Sequence, residues 1–163
     1  MMLYEEIFRE FQNKKVKYIV VGGIAFNLLG GARNTLDMDI LVEMSDENLR
    51  KIVAILKKAG YHVKQPVDPM SIADKDKRDD WVKNKNMKAF NFYKGEDTYE
   101  EVDILIDSPV SFKDAYKKAL DVSEKSLNFK VISPKDFVKM KRASGRDKDL
   151  DDIKKLKMVR KDI

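Results

Sequence analysis

Three aspartates in this 163-residue chain have the type and spacing for chemistry. Asp37 and Asp39 lie two apart in Asp37-Met-Asp-Ile-Leu-Val, a stretch that reads as a strand. Both side chains therefore leave one face, while Met38 and Ile40 leave the other, toward a core. At the rise of a strand their Cα atoms stand about 6.6 Å apart. Both carboxylates can then lean onto shared hard cations, which prefer oxygen ligands. Asp103 has the same setting in Val102-Asp-Ile-Leu-Ile, a run otherwise too apolar to need a carboxylate. If the two strands are neighbours, three negative groups converge. Two carboxylates about 5 Å apart repel by about 3 kcal/mol at an effective dielectric near 20. A divalent cation removes that penalty; without one, at least one carboxyl group should keep its proton.

Gly22-Gly23 supplies the other half of a site. The apolar run Tyr18-Ile-Val-Val enters the diglycine, and a helix is expected directly after it. Such a bend presents free backbone N–H groups and the positive end of a helix dipole, which together cradle an anion. A side chain there would keep a phosphate from the backbone. Arg33 and Thr35 lie between the diglycine and the aspartates, where solvation or capping of a loop is the alternative to ligand binding. Trp81, Tyr93 and Tyr99 are read as core residues, and His62 as an ordinary strand residue.

The elements that must position these residues follow from periodicity and punctuation. Leu3, Ile7, Phe8 and Phe11 recur at helical spacing, which predicts an amphipathic helix over 2–13. A buried strand is expected over 16–21, a short helix over 24–29 ended by Gly30-Gly31, and a second strand over 38–43. Ser45 or Asp46 caps a helix with the stripe Leu49, Ile52, Val53, Leu56 and a stop at Gly60. Residues 61–67 read as extended, 71–85 as a polar helix, and 87–93 and 99–106 as strands joined by a hairpin at Gly95-Glu96-Asp97. A helix over 111–120 and a short strand over 130–132 follow. Ser133-Pro134 starts a helix to about Ala143, and Gly145 separates it from a last helix over 147–160. Alternating helices and strands give an α/β or α+β class with a mixed sheet flanked by helices. Residues 1–132 would be the core and 133–163 a helical extension packed on it, one domain overall.

Composition narrows the classes. No cysteine is present, which excludes disulfides, thiol catalysis and thiolate-ligated zinc and fits a reducing cytoplasm. A single histidine, His62, speaks against histidine-rich metal sites and a Ser/His triad. The start, Met1 to Glu10, is acidic and amphipathic rather than a signal peptide, and no apolar run approaches the roughly 20 residues of a membrane span. Abundant lysine with glutamate and aspartate is a feature of thermophile proteins. The formal charge is +5, and all of the excess lies in residues 135–163, where eleven Lys/Arg face six Asp/Glu. That segment suits a polyanionic ligand or, more simply, forms a solvated helical face.

Val21-Gly22-Gly23, thirteen further residues, Asp37-Met38-Asp39-Ile40 and the distant Asp103 resemble the nucleotidyltransferase superfamily related to DNA polymerase β. Arg33-x-Thr35-x-Asp37 resembles its minimal branch, which includes toxins of abortive-infection and toxin–antitoxin systems. Lys141-Arg-Ala-Ser-Gly-Arg146-Asp-Lys148-Asp149-Leu-Asp-Asp152-Ile is similar to a Lys-x-x-x-x-Arg-x-Lys-Asp-Leu-x-Asp-Ile stretch of the same branch. The resemblance implies a nucleotidyltransferase fold and transfer of a nucleoside monophosphate from a triphosphate to RNA, protein or a small molecule. It implies two Mg2+ ions (Mn2+ as alternative) held by Asp37, Asp39 and Asp103, with Gly22, Gly23, Arg33, Thr35 and Lys141 at the nucleotide. It equally admits a degenerate nucleotide-binding protein of the same fold, such as one member of a toxin–antitoxin pair with a small helical partner. Lys141, Arg146, Lys148 and Asp149 have a purely structural alternative, pinning the last two helices together by ion pairs. Residues 61–98 match nothing in that pattern, so substrate recognition could lie there.

Overall fold

The computed structural model describes residues 3–163. Four consecutive apolar residues, Tyr18–Val21, form the first strand (β1), buried on both faces. It lies inside a seven-stranded mixed sheet. β2 (Asp37–Val42) runs antiparallel to β1 on one side, and β7 (Leu127–Val131) parallel to it on the other. Beyond β2 come β5 (Glu101–Leu105), parallel to it, then β4 (Ala89–Tyr93) and the two-residue β3 (His62–Val63), both antiparallel. β6 (Leu120–Glu124) closes the other edge as a hairpin with β7.

In β4 and β5 burial alternates, so one face of these strands is core and the other is open. Ile40, Ile104 and Phe90 lie side by side in register and are fully buried. Helix α4 (Lys75–Lys85) covers them there, with Trp81 stacked on Phe90 at 5.3 Å between ring centroids. Helix α3 (Asp46–Lys58) buries the predicted stripe Leu49, Ile52, Val53 and Leu56, and its Ser45 Oγ caps the Asn48 N–H. Helix α1 (Glu5–Asn13) packs against β7 and α3, where Phe8 stacks on Phe129 at 4.4 Å. Helix α2 (Gly22–Leu28) follows β1 without a loop and packs on β1 and β2. Helix α5 (Phe112–Lys118) lies on β1, and α6 (Pro134–Ser144) and α7 (Asp147–Val159) form the C-terminal helix pair. Ser133 caps α6 and Pro134 opens it, as expected; Gly145 ends it with a left-handed φ of 66°.

The α/β class, with a mixed sheet flanked by helices and two C-terminal helices, agrees with the reading of the sequence. Several elements do not. The expected helix over 2–13 begins at Met2, outside the described residues; the observed one starts at Glu5. The 71–85 helix is broken into a 3-10 turn (Pro69–Ala73) and α4, because the Asp74 carboxylate caps the Asp76 and Lys77 N–H groups and starts a new helix there. Of the extended 61–67 stretch only His62 and Val63 form a strand, and the Lys64 N–H adds one further bond to the Asn91 carbonyl of β4. The 95–97 turn lies within a longer connection from Tyr93 to Glu101, and Tyr99 is 82% exposed rather than core. The β6–β7 hairpin replaces the end of the expected 111–120 helix and extends the short 130–132 strand backward. Its outer strand is an exposed edge with little apolar signal, while Leu127, Phe129 and Val131 alternate inward. Among the described residues no helix is long and apolar enough to cross a membrane.

Candidate functional site

Asp39 and Asp103 are direct register partners across the parallel β2–β5 pair. Asp37 faces Glu101 two residues earlier along the same ladder. Side chains at such positions share a face, so four carboxylates line the open side of two adjacent strands. Single oxygens of Asp37, Glu101 and Asp103 lie within 4.8 Å of one another. The three aspartates of the sequence reading are therefore neighbours. Glu101 was not among them, although Glu101-Val102-Asp103 repeats the acidic–apolar–acidic alternation of Asp37-Met38-Asp39.

Electrostatics follows from this crowding. Burial, then the charges of Asp103 and Asp37, pushes the Asp39 carboxyl up to about 7, and a hydrogen bond to Asp103 adds to the shift. The nearby Lys141 ammonium acts in the opposite direction. Asp37 is raised by burial and by the charges of Glu101 and Asp103. Asp103 is raised chiefly by burial, while a hydrogen bond from Asn91 stabilises its charged form. Asn91 Nδ2 donates to Asp103 Oδ1 at 2.6 Å, and Gln65 Nε2 donates to Asn91 Oδ1 at 2.7 Å. Lys64 pairs with Glu101 at the margin of the cluster. Asn91, Gln65 and Lys64 all come from the 61–98 segment, where the sequence showed no recognisable pattern. This donor set is all hard oxygen, with no histidine or thiolate. One carboxyl, that of Asp39, is pushed up by burial and then by its neighbours' charge. Both features fit a divalent cation of the Mg2+ type.

Gly22 sits against this cluster. Its φ is +67°, and a Cβ built on it would lie 2.1 Å from Asp39 Oδ2. A Cβ on Gly23 would lie 2.5 Å from Thr35 Oγ1. The diglycine is thus required by close approach on both sides, and α2 begins at Gly22 itself, two residues earlier than predicted. Gly22, Gly23, Arg33, Thr35, Asp37, Asp39 and Lys141 all line one cleft of about 1080 Å3. That is just above the roughly 300–1,000 Å3 of small-molecule sites. Asp103 is not on this wall; its carboxylate meets Asn91 on β4.

Two basic residues of the sequence reading reach the cleft already paired. Lys141 Nζ lies 3.4 Å from Asp149 Oδ1 and 3.2 Å from Asp152 Oδ2. Arg33 Nη1 meets the same Asp152 oxygen at 2.7 Å. Arg146 Nε lies 2.8 Å from Asp149, whose side chain is fully buried. The network joins the Arg33 loop to α6 and α7, so the pinning role weighed for Lys141, Arg146 and Asp149 is present in the geometry. Lys148 lines the cleft.

Several solved structures share this fold. The lincosamide antibiotic adenylyltransferase LnuA, solved with lincomycin, superposes with a TM-score of 0.61 at 20% identity, covering 94% of both chains. ANT(2")-Ia in complex with adenylyl-2"-tobramycin gives 0.60 at 13% identity, covering 94% of this chain and 85% of that one. A Thermotoga maritima protein gives 0.56 at 18% identity, covering 94% and 89%. At these identities the likeness concerns the fold. No curated protein matches by sequence. The family model described as nucleotidyltransferase of unknown function (DUF6036) matches residues 1–162, so the chain belongs to that nucleotidyltransferase family.

Proposed function

We propose that the chain transfers a nucleoside monophosphate from a nucleoside triphosphate to a hydroxyl-bearing acceptor, in a reaction that depends on Mg2+. The observation that carries this reading is the in-register pair Asp39–Asp103 with Asp37 on the same face, beside a glycine bend pressed against Asp39. Asp37 and Asp39 would hold two ions jointly, and Asp103 the one on the acceptor side. The ions would supply Lewis-acid stabilisation of the attacking and leaving oxygens of an in-line displacement at the α-phosphorus. The acceptor oxygen forms the new P–O bond, the α–β bridge bond breaks, and pyrophosphate leaves. Asp103 would take the hydroxyl proton, directly or through water. Gly22 and Gly23 would approach the β,γ-phosphates by backbone, with Thr35 beside them and Arg33 and Lys141 neutralising charge. Asp152 would keep both basic groups aimed, with Asp149 a second partner of Lys141.

For the acceptor, two lines of support point to different molecules. The LnuA and ANT(2")-Ia structures carry small hydroxylated molecules, lincomycin and an adenylylated tobramycin. The +5 balance of residues 135–163, beside the cleft, favours a polyanion such as RNA. The test begins with thermal midpoints in ATP, GTP, CTP or UTP, with and without Mg2+. A rise only when both are present supports the site. Transfer of label from an α-labelled triphosphate to RNA, protein or a small hydroxyl compound then identifies the acceptor. Stabilisation by nucleotide and Mg2+ without any transfer would favour the degenerate nucleotide-binding alternative. A midpoint that no triphosphate moves would end the proposal.

A further inference from the structure

Tyr4 lies on the first turn of the described chain, far in sequence from every residue of the carboxylate cluster. The residue is 4% exposed, and its backbone is held in the left-handed region at φ 61°. Its hydroxyl accepts from the Glu101 N–H at 2.8 Å and donates to the Leu36 carbonyl at 2.5 Å, with the Glu101 carbonyl also at 2.8 Å. Leu36 immediately precedes Asp37, and Asp37 and Glu101 are the first register partners of the β2–β5 ladder. The hydroxyl therefore binds together the two strand ends from which Asp37 and Glu101 project. It does so through backbone alone and touches none of the carboxylates. Asp37 is exposed, and β2 begins with it. Its main chain is otherwise held by the β2–β5 ladder, of which it is the end residue.

We infer that Tyr4 is a positioning residue for the cation site: its hydroxyl sets the spacing of the β2 and β5 ends and so the separation of the Asp37 carboxylate from Glu101 and Asp103. The inference rests on the cation-binding reading of the cluster given above. A strand end that frays lets a ligand carboxylate swing, and cation binding must then restore its order. Removing a partner bonded directly to a metal ligand typically costs about 10–100-fold in affinity, and a tie through backbone belongs at the low end of that range.

The experiment measures Mn2+ affinity by the loss of the free-ion paramagnetic resonance signal, on the full chain, for wild type, Tyr4→Phe and Phe8→Leu. Phe8→Leu removes a core ring on the same helix and serves as a control for lost stability. Wild type should bind Mn2+, Tyr4→Phe should bind it roughly tenfold more weakly, and Phe8→Leu should bind as wild type does despite a lowered thermal midpoint. Equal affinity in wild type and Tyr4→Phe overturns the inference and leaves the site intact. Equal weakening in Phe8→Leu also overturns it, because affinity then follows global stability. A wild type that binds no Mn2+ defeats the cation site itself, and this inference with it. A second measurement needs no variant. In wild type the Glu101 amide should exchange with solvent as slowly as the interior amides of β5, and exchange at loop rates overturns the inference.

Discussion

Replacing Asp39 by asparagine should stabilise the metal-free protein while destroying its response to Mg2+. In the folded chain the Asp39 carboxyl is raised to about 7 from its ordinary 3.8, chiefly by burial and then by Asp103 and Asp37. Between those two values the native state holds the proton and the unfolded chain has lost it. Stability therefore falls as pH rises from about 4 to about 7, and the full penalty stands above that. At pH 8 the penalty amounts to at most about 4 kcal/mol, since each pH step costs 1.36 kcal/mol. An asparagine has no charge to lose, and its amide can donate to Asp103 as the protonated carboxyl does. In chelator at pH 8, Asp39→Asn should thus melt higher than wild type by up to roughly 8–16 °C for a chain of this size. The gap should close toward pH 4. Addition of Mg2+ should raise the wild-type midpoint and leave the variant's in place. Melting curves recorded by circular dichroism across pH 4–8, in chelator and in Mg2+, test all three statements. A gap that does not change with pH, or an Asp39→Asn protein that still responds to Mg2+, would refute the argument from charge crowding.

Other substitutions probe the remaining parts of the site. Asp37→Asn and Asp103→Asn should each abolish transfer of label from an α-labelled triphosphate while circular dichroism shows an unchanged fold; transfer at the wild-type rate by either variant contradicts its assigned role. Gly22→Ala forces a Cβ to within 2.1 Å of Asp39 Oδ2 at a φ of +67°. It should cost roughly 1–3 kcal/mol of stability and remove the thermal shift caused by nucleotide with Mg2+, measured by denaturant melts and calorimetry. Asp152→Asn leaves Arg33 without its 2.7 Å partner and Lys141 with only Asp149. Stability should drop by about 2–4 kcal/mol and the KM for triphosphate should rise, whereas the neighbouring exposed Asp151→Asn should do neither.

Local pattern carried a large part of this protein. The alternation Asp37-Met-Asp-Ile places two carboxylates on one face whatever the strand's neighbours, because side-chain direction has period two along any strand. Gly22-Gly23 after an apolar run marks a bend of special backbone for an equally local reason, and glycine permits the +67° found at Gly22. The cap at Ser45, the stripe of α3, the Ser133-Pro134 start and the Gly145 stop are likewise set within a few residues of chain.

What the tertiary structure decided concerns partners distant in sequence. That β5 lies beside β2 in a register pairing Asp103 with Asp39, and Glu101 with Asp37, depends on strand order, which no local window contains. The same holds for Asn91 reaching Asp103, for the Tyr4 hydroxyl bridging Leu36 and Glu101, and for Asp152 drawing Arg33 and Lys141 together across 119 and 11 positions of sequence. The β6 edge was hidden for a different reason: an exposed strand needs solubility more than burial, so its residues carry no apolar period to read. Sequence alone thus determined which side chains share a face, and tertiary packing determined which faces meet, because the first is fixed by backbone geometry and the second by long-range burial of apolar surface.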